Sequence, residues 1–173
     1  MAGITQLGKG MMITGCLLFI GLMTLWFGEV EQDRAFPNRS PTSTIEGDER
    51  AVYLKQDRQG HYTVTGYINR EPILFLVDTG ATDVVIPEGM ANRLNLQKGR
   101  PRRANTANGV ITVYETQVQT LEIAGLIFNN VRGSINPGMR GDAALLGMSV
   151  LGQVELEQSQ GMLTIRKKDR WTQ

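Results

Sequence analysis

The chain has 173 residues, of which 41% are hydrophobic, enough for one domain of ordinary size and a short appendage. It carries 18 Lys and Arg against 17 Asp and Glu, and this formal net charge of +1 gives no electrostatic reason to expect nucleic-acid binding. The single cysteine, Cys16, excludes an intrachain disulfide, and a domain of this size can be stable without one.

An apolar stretch near the amino terminus predicts a transmembrane anchor over residues 11–28. Residues 11–27 are almost wholly apolar and would span about 26 Å as a helix, slightly less than the hydrocarbon core of a bilayer. Trp26 and Phe27 at the far end are typical of aromatic side chains at a membrane interface. The alternative is a cleaved signal peptide, but the apolar core is long for one and no small-x-small cleavage pattern follows it.

The charges on either side of this anchor predict its orientation. Lys9 and the amino terminus precede the anchor, whereas Glu29, Glu31 and Asp33 follow it. The positive-inside rule therefore makes residues 1–10 a cytoplasmic tail and places the rest of the chain on the opposite side of the membrane.

Composition then divides the remaining chain. Residues 29–50 are polar and contain two prolines, which is typical of a flexible linker. From residue 51 apolar and polar residues alternate, so the folded domain is predicted over 51–168, with a tail at 169–173.

The first β pattern predicts a hairpin, with strands at 52–54 and 62–68 about a turn at 58–60. The only histidine, His61, lies in this hairpin. We expect it at the surface or a sheet edge, because the chain lacks the partners that a catalytic or metal-binding histidine would need.

The middle of the chain places one acid at the end of a buried strand. The apolar run 75–77 leads into Asp78-Thr79-Gly80-Ala81, and a second β run follows at 84–86. A carboxylate in this position costs free energy unless its charge is used or compensated. The Thr79 hydroxyl can bond local backbone, and Gly80 allows another chain segment to approach closely.

The remaining pattern is predominantly β. A short helix is predicted from Pro87 through Leu94. Hairpins are predicted at 104–113, turning at Asn108-Gly109, and at 154–165; further strands are predicted at 118–123, 126–131 and 134–135. Between them, Arg100, Arg102 and Arg103 form a basic cluster, interpreted as a solvated loop, with an anion site as the alternative. Several short strands and one or two short helices predict an all-β domain, a small closed or partly closed β-barrel.

Two motifs together resemble the retropepsin-like aspartic peptidases (clan AA), in particular their bacterial membrane-anchored type. The first is the apolar run followed by Asp78-Thr79-Gly80-Ala81. The second, 144–151, reads ALLGMSVL and is similar to the hydrophobic-hydrophobic-Gly strand and short helix of that family. The resemblance covers about residues 50–168. It implies the retropepsin-like barrel, with Leu145, Leu146 and Gly147 as the supporting second motif.

The resemblance also implies site residues and chemistry. Asp78 is the expected catalytic residue, and Thr79, Gly80 and Ala81 would support its loop. Asp83 would contact substrate, and the hairpin that bears Asn108 and Gly109 is a candidate flap over it, or else an ordinary hairpin. No cofactor is expected, and no metal, since no metal-ligand cluster is present.

Carboxylate-catalysed peptide hydrolysis needs two acids that share one proton, and the chain has one Asp-Thr-Gly. The economical solution is a symmetric homodimer that joins Asp78 from each copy; an acid from the same chain, Asp83 or Asp142, is the alternative. The expected protein is a single-pass endopeptidase of the bacterial inner membrane, with its domain in the periplasm or otherwise outside the cytoplasm and peptides or proteins as substrates. Two alternatives remain: a non-catalytic retropepsin-like dimerisation or peptide-binding module, and a structural β-domain that uses Asp-Thr-Gly as a turn.

Overall fold

The computed structural model describes residues 11–12, 14–27, 36–106 and 109–168. The chain divides into two compact units, Met1–Ala35 and Phe36–Gln173. Residues 1–10, 28–35 and 169–173 lie outside the described residues, so the predicted cytoplasmic tail and carboxyl-terminal tail stay predictions.

In the amino-terminal unit, residues 11–12 and 14–27 are helical. Within this helix the Thr24 hydroxyl donates to the Ile20 carbonyl at 2.8 Å. Among the residues that the structure describes, no helix combines the length and the apolar character needed to cross a membrane. The transmembrane anchor therefore stays a prediction.

The second unit contains eleven strands and two short helices within its described ranges. The strands are β1 (Thr42–Glu46), β2 (Glu49–Lys55), β3 (Thr63–Ile68), β4 (Glu71–Val77), β5 (Val84–Pro87), β6 (Pro101–Thr106), β7 (Gly109–Ile123), β8 (Leu126–Asn136), β9 (Ala143–Leu146), β10 (Glu155–Ser159) and β11 (Met162–Lys168). The helices are α1 (Glu88–Ala91) and α2 (Met148–Leu151). The prediction of an all-β domain with one or two short helices is confirmed.

Six of these strands close into a barrel. Their order is β3-β4-β9-β5-β8-β7, and β7 pairs again with β3 through Tyr67–Glu122 and Ile68–Leu121. Gly66 permits this closure, because a Cβ at this position would lie 2.4 Å from the Glu122 carbonyl oxygen. Strand β6 pairs only with β7, as half of a hairpin. Residues 109–113 of β7 pair with β6 and not with β8, so the tip of this hairpin extends past the part of β7 that belongs to the ring.

A second sheet, in the order β1-β2-β11-β10, is wholly antiparallel. The closing hairpin predicted at 154–165 is confirmed, with Ser159 paired to Met162. Its turn residues Gln160 and Gly161 both have positive φ, the conformation that a two-residue hairpin loop requires. Ala124 and Gly125 form a similar turn between β7 and β8, also as predicted.

The folded unit begins earlier than the predicted boundary at residue 51. Strand β1 lies inside the segment predicted as a flexible linker, and it pairs along its whole length with β2. Asn38, buried in the same segment, donates from Nδ2 to the carbonyls of Lys55 and Thr63 at 2.8 and 2.7 Å. The polar composition of residues 29–50 does not predict this order, because the segment is held by backbone pairing of β1 and by the side-chain amide of Asn38.

The hairpin predicted between the first two strands of the domain does not form. Strand β2 pairs with β1 and β11, whereas β3 pairs with β4 and β7. The connecting loop folds on itself, since the Asp57 carboxylate accepts from the backbone amides of Gln59 and His61. His61 is exposed, as predicted.

The helix predicted from Pro87 through Leu94 is shorter than expected. Pro87 ends β5, and α1 stops at Ala91, although the Leu94 amide still donates to the Met90 carbonyl at 3.0 Å. Strands predicted separately join into the long β7 and β8, which pair from Tyr114–Ile135 to Ile123–Leu126.

The barrel surrounds a continuous apolar core. Its largest fully buried side chains are Phe75, Leu54, Ile68, Ile86, Leu94, Leu121, Ile123, Leu126, Ile135, Leu146, Leu151 and Val52. Burial of each such side chain contributes about 1.5–3 kcal/mol to folding. Phe75 and Leu146 lie on the two strands that lead into the predicted motifs, so the core anchors the candidate site directly.

Candidate active site

Asp78 lies immediately after β4, beside the end of β9. The two strands run parallel, and their register places Val77 next to Leu146. The backbone amide of Asp78 donates to the Leu146 carbonyl at 3.1 Å. The predicted first and second motifs, distant in sequence, therefore meet at one edge of the barrel.

The loop after β4 turns tightly around the Asp78 side chain. Asp78 is half-buried, and its Oδ1 accepts a hydrogen bond from the Gly80 amide at 2.8 Å. The Ala81 amide donates to the Asp78 carbonyl at 3.2 Å. These two bonds close the turn and hold one oxygen of the Asp78 carboxylate against the loop backbone.

Helix α2 is hydrogen-bonded to the same loop. The amides of Met148 and Ser149 donate to the Ala81 and Thr82 carbonyls at 2.8 and 2.9 Å. The Ser149 hydroxyl accepts from the Val84 amide at 3.1 Å and donates to the Arg132 carbonyl at 2.8 Å. Ser149 thus joins the loop, β5 and β8.

Gly147 makes this contact between α2 and the loop possible. A Cβ at this position would lie 2.1 Å from the Asp83 carbonyl oxygen and 2.6 Å from that of Ala81. Real Cβ atoms do not approach backbone oxygen so closely, so only glycine fits without moving the loop. Leu146 is fully buried and Leu145 half-buried, so the second motif packs against the Asp78 loop at the place where the sequence analysis expected its support.

The other side of the loop faces outward. Thr79 and Gly80 are exposed, and Met148 at the start of α2 keeps 42% of its surface exposed.

Asp83 does not present its carboxylate to an open site, which corrects its expected role as a substrate contact. It is 2% exposed, and its Oδ1 accepts from Arg132 Nε at 2.6 Å while its Oδ2 accepts from Arg102 Nη2. The hydrogen bond and the charge of Asp83 raise the pKa of Arg132, so this guanidinium stays cationic. Arg102, predicted in a solvated loop, instead belongs to β6 and binds this carboxylate.

The predicted hairpin that bears Gly109 is present, formed by β6 and the start of β7. Asn108 lies outside the described residues. Gly109 is exposed, has φ of +109° and pairs with Thr106 across the turn. The hairpin forms where Asn-Gly predicts it, but Gly109 is the first residue of β7 and not a turn residue.

Sequence reasoning misses Arg132 and Ser149. Arg132 falls between the strands predicted at 126–131 and 134–135, and Ser149 lies in the short helix of the second motif. Only the fold brings the two residues to the Asp78 loop. Within the ranges that the structure describes, no group of three or more His, Cys, Asp or Glu is placed to hold a metal ion.

Comparison with known proteins gives a family match in sequence and a match in fold. Residues 64–153, just over half of the chain, match the family described as "gag-polyprotein putative aspartyl protease". A retropepsin-like aspartic protease from Rickettsia conorii, known from its crystal structure, has the same fold. Its TM-score is 0.57 at 21% identity, and the match covers 74% of this chain and 94% of that one.

Two curated relatives are described as uncharacterized proteins. One, encoded in the cobV 5′ region of a Sinorhizobium species, is 27% identical over 128 residues, 70% of this chain and 54% of that protein. The other, from Rickettsia prowazekii (strain Madrid E), is 30% identical over 103 residues, 58% of this chain and 44% of that protein. The chain spans about half the length of these relatives. On the family match and the shared fold, the chain belongs to the retropepsin-like aspartic proteases.

Proposed function

We propose that this protein is a homodimeric aspartic endopeptidase in which Asp78 from two copies activates the water that attacks a peptide bond. The observation that carries the proposal is the half-buried Asp78, held by Gly80 and backed by α2, in a chain of this family. Two carboxylates at close range cannot both ionise, so one takes a proton from water while the other donates a hydrogen bond to the carbonyl.

Within the part of the chain that the structure describes, neither Asp83 nor Asp142 is suited to be the second acid of the dyad. Asp83 is buried and both of its oxygens are bound by arginines. Asp142 is exposed on the loop before β9. It is not followed by Thr-Gly, so it does not repeat the first motif. A second copy related by two-fold symmetry supplies the missing carboxylate without any further residue.

The exposed face of the loop supports contact between two copies there. Thr79, Gly80 and Met148 are exposed in the single chain and would be covered in such a dimer. We propose that the Thr79 hydroxyl bonds across the two-fold axis. We propose that the β6–β7 hairpin closes over the bound peptide as a flap, since it extends from the ring.

Dimerisation predicts a concentration dependence. Specific activity of the domain, residues 36–173, should fall on dilution below the dimer dissociation constant, because monomers lack the dyad. Peptide-library cleavage measured across a dilution series, with and without a statine-type inhibitor, tests the activity and the assembly together. Activity that stays proportional to protein at every dilution would mean a monomeric catalyst.

We also propose that the apolar amino-terminal segment anchors the protein in the bacterial inner membrane, with the domain outside the cytoplasm. Lys9 before the segment and the acidic residues after it support this orientation. Anchoring would raise the local concentration of chains at the membrane. A dimer that dissociates readily in solution could therefore stay associated there.

Topology is directly measurable. Deletion of residues 1–28 should release the protein into the soluble fraction, and a reporter fused after Gln173 should be active outside the cytoplasm. Reporter activity inside the cytoplasm would contradict the orientation. A mature amino terminus near Ala35 would show a cleaved signal peptide instead.

A further inference from the structure

Two arginines and one aspartate form a charged cluster beside the Asp78 loop. Each oxygen of Asp83 is bound by a different guanidinium, from Arg102 on one side and Arg132 on the other. Since one buried carboxylate faces two cations, the cluster carries a net charge of about +1. The buried Asp83 also fixes where both guanidinium groups lie.

Arg132 retains unused hydrogen-bonding capacity. It binds Asp83 through Nε alone, and 69% of its side chain is exposed. Within the described ranges its two outer nitrogens have no hydrogen bond or ion pair. A guanidinium fixed at one edge presents a planar pair of donors at the other, which matches the geometry of a carboxylate.

The cluster lies close to Asp78 and to the hairpin proposed as the flap. Asp83 is five residues after Asp78, so their Cα atoms are separated by no more than about 17 Å, the length of about five extended residues. Arg102 belongs to the hairpin proposed as the flap, and the Arg132 carbonyl accepts from Ser149 under the loop. Through Asp83, the two arginines therefore connect the Asp78 loop to β6, one strand of the proposed flap.

On the basis of the proposed peptidase function, we infer that Arg132, assisted by Arg102, forms a subsite that selects a glutamate or aspartate side chain of the substrate, within about four residues of the scissile bond. The preference is electrostatic, and the fixed guanidinium loses little conformational freedom when it binds. Arg132 is then a specificity-determining residue, separate from the Asp78 chemistry.

The test compares matched peptides with the full 173-residue wild-type protein. A cleaved peptide is resynthesised with Glu or Gln at each position around the scissile bond. At one position we expect kcat/KM to be about fivefold higher for Glu, and this ratio to shrink as salt is raised. Equal cleavage of Glu and Gln peptides at every position would overturn the inference and leave the proposed function standing. Cleavage of no peptide at all would overturn both.

Variants then locate the preference. Arg132→Gln leaves Arg102 on Asp83, and its ratio of Glu to Gln cleavage should fall to about one, whereas Arg132→Lys should keep part of it. Arg103→Gln is the matched control, because Arg103 is exposed and alternates to the opposite face of β6 from Arg102. A folded Arg132→Gln protein that keeps the full ratio would overturn the inference. If that variant fails to fold, the salt dependence of the wild-type ratio decides.

Discussion

Replacement of Asp78 with asparagine should abolish peptide hydrolysis while the fold persists. Asparagine keeps the size of the side chain and an oxygen to accept from the Gly80 amide, but it cannot ionise or carry the shared proton. We expect a loss of about a thousandfold or more in kcat/KM, because the dyad supplies both the acid and the base. Peptide cleavage measured on purified Asp78→Asn protein tests this directly.

Two measurements make the result interpretable. The thermal midpoint of Asp78→Asn should lie close to that of the wild type. Asp78 is only half-buried, and an asparagine can still accept the hydrogen bond from the Gly80 amide. Asp142→Asn is the matched control, because Asp142 is an exposed acid outside the loop. Asp78→Asn protein that cleaves as fast as the wild type would exclude the aspartic-peptidase mechanism.

Among the glycines that the structure describes, Gly147 is the one whose replacement with alanine should damage the protein most, because its Cβ would meet a backbone oxygen at the shortest distance. Its Cβ would overlap the Asp83 carbonyl oxygen, so either α2 or the Asp78 loop must move. We expect a loss of about 3 kcal/mol or more in the free energy of unfolding, together with loss of activity. Denaturant unfolding followed by circular dichroism measures the first effect.

Gly89→Ala provides the matched substitution. Gly89 is exposed on α1, and no atom lies within 4 Å of the position its Cβ would take. Alanine should change the free energy of unfolding by no more than about 1 kcal/mol, in the stabilising direction. If Gly147→Ala were as well tolerated as Gly89→Ala, the contact between α2 and the loop would not position Asp78.

Local patterns made the candidate site predictable in large part. The apolar run before Asp78 is a buried strand, and the ALLGMSVL segment is a strand and short helix that pack against the loop. The hairpin predicted at 104–113 forms, and Gln160 and Gly161 make the turn of the closing hairpin with the positive φ that such a turn requires. Each of these features is decided within about ten residues of sequence.

Partner choice between distant segments was not predictable. Strand β2 pairs with β11, more than 100 residues away in sequence, and not with β3, the next strand along the chain. Its other partner is β1, which comes from the polar segment before residue 51. Asp83 appears as a free acid in the sequence, and only the fold shows that Arg102 and Arg132 neutralise it. Charge pairing of this kind depends on tertiary proximity, which periodicity does not encode.

A mixing titration tests the central claim, that two chains share one catalytic dyad. Wild-type and Asp78→Asn chains are combined at fixed total concentration and allowed to exchange subunits. If mixed dimers are inactive, an equal mixture should keep about one quarter of the wild-type activity, because about one quarter of the dimers contain two wild-type chains. An equal mixture that keeps about one half, in direct proportion to the wild-type chains present, would contradict the shared dyad.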